Sequence, residues 1–93
     1  MEILTPQQID DALADLDGWT HADGALTRTF RFADFARAVD FVEQLADVAE
    51  SMQHHPDIDI RYNKVTLTLS THSVGGLTAN DVRLAQLAEH SAR

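Results

Sequence analysis

The sequence predicts an α+β domain: a four-stranded antiparallel sheet with three helices packed on one face, in the order α-β-β-α-β-β-α. Three observations lead there. Two pairs of short segments alternate apolar and polar residues, each pair joined by a tight-turn dipeptide, which is the pattern of antiparallel hairpins. Three further segments repeat apolar residues at three- and four-residue steps, as helices that bury one side do. The alternating segments carry one apolar face only, so a single layer of helices suffices to cover the sheet.

Each element can be justified in turn. Thr5 before Pro6 reads as an N-cap and first helical position. Ile9, Ala12, Leu13 and Leu16 then form an apolar stripe that Gly18 ends. Trp19 to Ala22 and Ala25 to Phe32 flank Asp23-Gly24, a dipeptide favoured in two-residue hairpins. In the second run Leu26, Phe30 and Phe32 share one parity, whereas Thr27, Thr29 and Arg31 share the other. From about Asp34 to Met52, Phe35, Ala38, Val39, Val42, Leu45, Ala46, Ala49 and Met52 mark a long amphipathic helix. Pro56 cannot continue it and biases His55 toward extended backbone.

Ile58, Ile60 and Tyr62 alternate with Asp57, Asp59 and Arg61 on a third strand, and Asn63-Lys64 reads as its turn. Val65, Leu67 and Leu69 alternate with Thr66, Thr68 and Ser70 on a fourth. Extending that alternation places His72 on the polar face. Gly75-Gly76 breaks the pattern. It lacks the downstream glycine and the strand-to-helix setting of a dinucleotide loop, so it reads as a turn. Thr78 to Asp81 has capping-box spacing, with Asp in place of the usual Glu or Gln. Val82, Leu84, Ala85, Leu87 and Ala88 supply the apolar side of the last helix.

Composition narrows the function. The 93 residues, without linker, repeat or low-complexity stretch, read as one domain spanning 1–93. Seven basic against fifteen acidic residues give a net charge of -8, which argues against nucleic acid and anionic membrane as partners. With no cysteine, thiolate nucleophiles, disulfides and thiolate metal sites are excluded. The start, "MEILTPQQID", has no basic n-region or apolar run, and no stretch nears the roughly 20 apolar residues of a membrane span. A soluble, cytoplasmic protein is expected. A sheet this small leaves its edges open, so a homo-oligomer, dimer or tetramer, is expected too.

The candidate site is a cluster of groups that exchange protons. Glu50 lies in the last turn of the long helix, and His54 follows four residues later, on the same side if the helix persists. The negative end of the helix dipole and Glu50 both place negative charge beside His54 and His55, a setting in which imidazole serves as a general acid. His72 ends the last strand, and Asp81 opens the last helix. Blander readings exist for each: a solvated helix end at His-His-Pro, a plain cap at Asp81, a surface carboxylate at Glu50. A zinc site from His54, His55 and His72 is disfavoured, because adjacent histidines seldom chelate together and the spacing fits no common ligand pattern. His21 and His90 are assigned no role.

Together, "ESMQHHP", Tyr62, "STH" ending at His72 and "GGLTAND" ending at Asp81 resemble the pterin-4a-carbinolamine dehydratases. The family pattern is an acidic residue, His-His-Pro, an aromatic, a histidine and an aspartate, and here Glu50, His54, His55, Pro56, Tyr62, His72 and Asp81 stand at those spacings. Gly18-Trp19 and the series Phe32, Phe35, Ala38, Phe41 are similar to the family as well, so the likeness runs along the whole chain.

The resemblance implies a four-stranded antiparallel sheet with three helices on one side. It also implies dehydration of a 4a-hydroxytetrahydropterin to the quinonoid dihydropterin, which recycles the tetrahydropterin of aromatic amino acid hydroxylases such as phenylalanine hydroxylase. The substrate is then a pterin, and no metal or other cofactor is called for. By carry-over His54 and His72 are the principal acid and base. His55 binds and orients the pterin, with Pro56, Thr71 and His72 as further contacts, and Glu50 and Asp81 hold the imidazoles. Two other readings belong with this resemblance: a non-catalytic dimerisation cofactor acting through a helical surface, as in vertebrate members, and a pterin-binding relative in another pathway such as molybdopterin metabolism.

Overall fold

The computed structural model describes residues 2–93. Its first helix, α1 (Pro6–Leu13), begins as the sequence dictates. Thr5 Oγ1 accepts from the Gln8 N–H at 3.2 Å, and Gln8 Oε1 accepts from the Thr5 N–H at 2.8 Å, which closes a capping box. The helix ends earlier than expected. Leu16 lies beyond it, in a turn where its N–H meets the Leu13 carbonyl at 3.1 Å, and it reaches the core from there. Gly18, at φ +87°, then swings the chain into the sheet, a conformation that costs glycine little.

Strands β1 (Thr20–Ala22) and β2 (Ala25–Arg31) pair antiparallel across Asp23 and Gly24, both at positive φ. That is the backbone a right-twisted two-residue hairpin needs. Leu26 and Phe30 are buried as the parity requires. Arg28 stands between them on the same face, an awkward place for a charge. It is compensated: its guanidinium pairs with Glu89, donates to the Asp17 carbonyl at 2.9 Å and lies 4.3 Å from the Phe30 ring centroid. The Trp19 indole N–H also donates to Glu89, at 2.8 Å.

Helix α2 (Phe35–Met52) is capped by Asp34, whose side chain accepts from the Arg37 N–H at 2.9 Å. It buries Ala38, Phe41, Leu45 and Ala49, whereas Phe35 is 53 % exposed and Ala46 is exposed. The buried stripe is thus rotated from the expected one toward Phe41. The reason is aromatic packing: the Phe41 ring sits 4.9 Å from Phe30 and 5.0 Å from Phe32, and these contacts with β2 and the residue after it set the rotation.

Strands β3 (Asp57–Arg61) and β4 (Lys64–Leu69) form the second hairpin. The turn is Tyr62-Asn63, one residue earlier than expected, with Tyr62 at φ +53° outside the strand. Asn63 fixes it by clasping β2's end: its carbonyl accepts from the Phe32 N–H, and its side-chain amide donates to the Phe32 carbonyl, both at 2.8 Å. The sheet order is β1-β2-β4-β3. Helix α3 (Ala79–Ser91) buries Leu84, Ala85 and Ala88, and the three helices lie on one face. Val65, Leu67 and Leu69 of central β4 are buried. Ile58 and Ile60 of edge strand β3 pair with Leu67 and Val65 in register, yet remain 39 % and 37 % exposed.

Candidate active site

The site forms where two chain reversals meet the start of α3. At the end of α2 Gln53 takes the left-handed conformation, φ +53°, and the His54 N–H reaches back to the Ala49 carbonyl at 3.0 Å. This is the closing bond of a Schellman-type end, and Pro56 keeps the helix from resuming. The reversal breaks the i, i+4 geometry that would have set Glu50 beside His54. Instead His55 Nε2 lies 2.5 Å from Glu50 Oε2, and this pair is at the surface, with side chains 62 % and 70 % exposed.

His54 turns the other way. Its Nε2 lies 2.6 Å from Oδ1 of Asp81, a carboxylate that is wholly buried, and the imidazole itself is only 11 % exposed. Asp81 Oδ2 accepts from the Thr78 backbone N–H at 2.9 Å and from the Thr71 hydroxyl at 2.7 Å. The Thr71 and Thr78 hydroxyl oxygens are 2.8 Å apart. Asp81 therefore does cap its helix, as the capping-box spacing allows, and holds a histidine at the same time. The sequence offered these as alternatives; the fold combines them.

Thr71 ties His72 to this network. β4 ends at Leu69, and Thr71 and Gly76 bridge the neck of a turn, with the Thr71 N–H on the Gly76 carbonyl at 2.9 Å. Gly75 supplies the positive φ, +69°, that the reversal requires. His72 stands in this turn, exposed, rather than on the polar face of a continuing strand. The correction has a simple cause: the strand pairing stops before it, so alternation no longer governs which way it faces. It directly follows Thr71, whose hydroxyl Asp81 holds.

Asp81 thus fixes both the end of α2, through His54, and the neck of the 71–76 turn, through Thr71. Pro56, half-buried, follows the two histidines. Among the described residues no group of three or more His, Cys, Asp or Glu side chains is arranged to hold a metal ion. Thr78 was legible in the sequence only as a cap; its hydroxyl contact with Thr71 depends on the turn and could not be read from spacing.

The profile of the family described as "Pterin 4 alpha carbinolamine dehydratase" matches residues 2–91. The chain belongs to that family. A Mycobacterium avium (strain 104) protein, provisionally named a pterin-4-alpha-carbinolamine dehydratase, is 56% identical over 86 residues, 92% of each chain. One from Mycolicibacterium vanbaalenii, named likewise, is 51% identical over 86 residues, again 92% of each. Among solved structures, the transcriptional coactivator/pterin dehydratase from Brucella melitensis superposes with a TM-score of 0.95 at 40% identity, covering 99% of this chain and 100% of that one. A pterin dehydratase-like protein identified as a RuBisCO assembly factor in the alpha-carboxysome gives a TM-score of 0.67 at 21% identity, covering 80% of this chain and 86% of that one, a likeness of fold alone. The pterin dehydratase family thus accounts for the observed sheet and helices. No helix among the described residues is long and apolar enough to cross a membrane.

Proposed function

We propose that this protein is a hydro-lyase that converts a 4a-hydroxytetrahydropterin to the quinonoid dihydropterin and water, one step in recycling the tetrahydropterin of an aromatic amino acid hydroxylase. Reduction back to tetrahydropterin falls to a separate reductase. The observation that carries the reading is the buried His54–Asp81 pair, held by the hydroxyl of Thr71, the residue directly before His72. In the reaction the C4a–O bond breaks and a C4a=N5 double bond forms. One group protonates the departing hydroxyl, and another accepts the proton leaving N5. His54 and His72 share those two roles, a contribution of roughly 10²–10⁴ in rate for positioned acid–base groups. Asp81 fixes His54, and Glu50 orients His55, which with Pro56 borders the pterin.

The exposed edge strand β3, with Ile58 and Ile60 uncovered on the helix-bearing side, supports a homo-oligomer. Light scattering on the purified protein tests that part.

The function itself is tested by generating the carbinolamine with phenylalanine hydroxylase and following its dehydration by ultraviolet absorbance. The wild-type protein speeds the step, and His54→Ala and His72→Ala each lose most of the acceleration while remaining folded. Wild-type progress curves no faster than the uncatalysed control would remove the enzyme assignment.

A further inference from the structure

We infer that Thr71 and Thr78 are positioning residues, a hydroxyl pair that locks Asp81 so that His54 carries its proton on Nε2 and exchanges protons with substrate through Nδ1. The inference rests on the dehydratase reading for its chemistry and departs from the family carry-over, in which Thr71 contacts the pterin. It follows from counting protons. An ionised carboxylate only accepts, and a backbone N–H only donates. The Thr78 N–H therefore occupies one acceptor site on Asp81 Oδ2, and the Thr71 hydroxyl spends its single proton on the same oxygen. The 2.8 Å contact between the two hydroxyls must then be Thr78 donating to Thr71.

Oδ1 is left for His54, whose Nε2 at 2.6 Å donates to it. In the neutral ring the remaining nitrogen, Nδ1, bears the free lone pair, and it is the nitrogen that can take or give a proton in catalysis. Thr78 is wholly buried and Thr71 is 8 % exposed, so Thr78 cannot touch a pterin and Thr71 has little surface to offer one. Any effect of the Thr78 hydroxyl on the rate has to pass through Thr71 and Asp81. Loosening the lock lets the carboxylate turn, and the competing Nδ1–H tautomer of His54 then becomes populated.

Two readouts test this. Imidazole nitrogen NMR of histidine-labelled wild-type protein should show neutral His54 protonated on Nε2 alone. In Thr71→Val an Nδ1–H population should emerge, and kcat should fall roughly tenfold at unchanged KM, the scale of losing one hydrogen bond to a charged group. Thr78→Val should move both in the same direction by roughly threefold, one neutral hydrogen bond's worth. Thr71→Ser, which keeps the hydroxyl and serves if the valine variant folds poorly, should restore both. A raised KM with kcat intact in Thr71→Val would return Thr71 to the pterin contacts and overturn the inference, as would wild-type His54 protonated on Nδ1. The NMR measurement needs no substrate. If the wild-type protein shows no turnover, the dehydratase reading fails, and the tautomer still decides the positioning claim.

Discussion

Replacing Asp81 by asparagine changes its charge and almost none of its shape, and the surrounding donors determine what happens next. Asp81 receives three: His54 Nε2 at 2.6 Å, the Thr71 hydroxyl at 2.7 Å and the Thr78 N–H at 2.9 Å. An amide offers one accepting atom and one donating group. Seating its oxygen in the Oδ2 position satisfies Thr71 and Thr78 and sets the NH₂ against His54, which can shift its proton to the other ring nitrogen. The reverse seating sets the NH₂ against the Thr78 N–H, a donor with no such escape. The first arrangement wins, and His54 must present Nε2 as an acceptor, which moves its proton to Nδ1. The hydrogen bond that survives is no longer charge-assisted, so stability should drop by about 1.5–3 kcal/mol, the range for hydrogen bonds to charged groups. For a domain of this size that lowers Tm by about 6–24 °C. Activity should fall by roughly 10²–10⁴, because the proton then sits on the wrong nitrogen of the acid–base group. Thermal unfolding and the coupled dehydration assay measure the two effects on one preparation. An Asp81→Asn protein with wild-type turnover would refute the claim that His54 works through its bond to Asp81.

The other carboxylate should behave differently. Glu50→Gln alters a pair whose members are 62 % and 70 % exposed and screened by water, so Tm should stay within about 2 °C and any effect should fall on KM; a Tm loss matching that of Asp81→Asn would contradict this. Leu67→Ala, at a wholly buried position of the central strand, should cost about 2–5 kcal/mol in denaturant unfolding, and a loss below about 1 kcal/mol would mean that the site collapses around the cavity. Glu89→Ala removes the shared acceptor of Arg28 and Trp19, and should cost about 1–3 kcal/mol and shift the emission of the chain's single tryptophan to the red. Unchanged fluorescence would show that Trp19 keeps its burial without that contact.

Local chemistry was legible wherever one residue type has one physical use. Thr5-Pro6 starts a helix, Asp23-Gly24 closes a hairpin and Pro56 ends α2, because each meets a backbone demand that few residues can meet. The errors lie where two options are nearly equal locally. α2 carries apolar residues around more than one stripe, and the Phe30–Phe41 contact chose between them. Alternation alone could not say whether the β3–β4 turn fell at Tyr62-Asn63 or one residue later; the Asn63 clasp on Phe32 decided it. Arg28 drew no notice in the sequence, since its inward position is tolerable only beside Glu89, which lies 61 residues away along the chain.

The sequence by itself determined the order of elements and the single buried face of the sheet, and it singled out the histidines and carboxylates proposed for the site. These follow from periodicity, turn chemistry and spacing, all of which act over a few residues. Which carboxylate serves which histidine was decided only in three dimensions. Glu50 is the neighbour of His54 along the chain, yet the left-handed residue Gln53 turns His54 toward Asp81, 27 residues on, and leaves Glu50 to His55. A reversal of the backbone redirects every side chain after it, and a buried carboxylate must find its donors wherever the fold brings them.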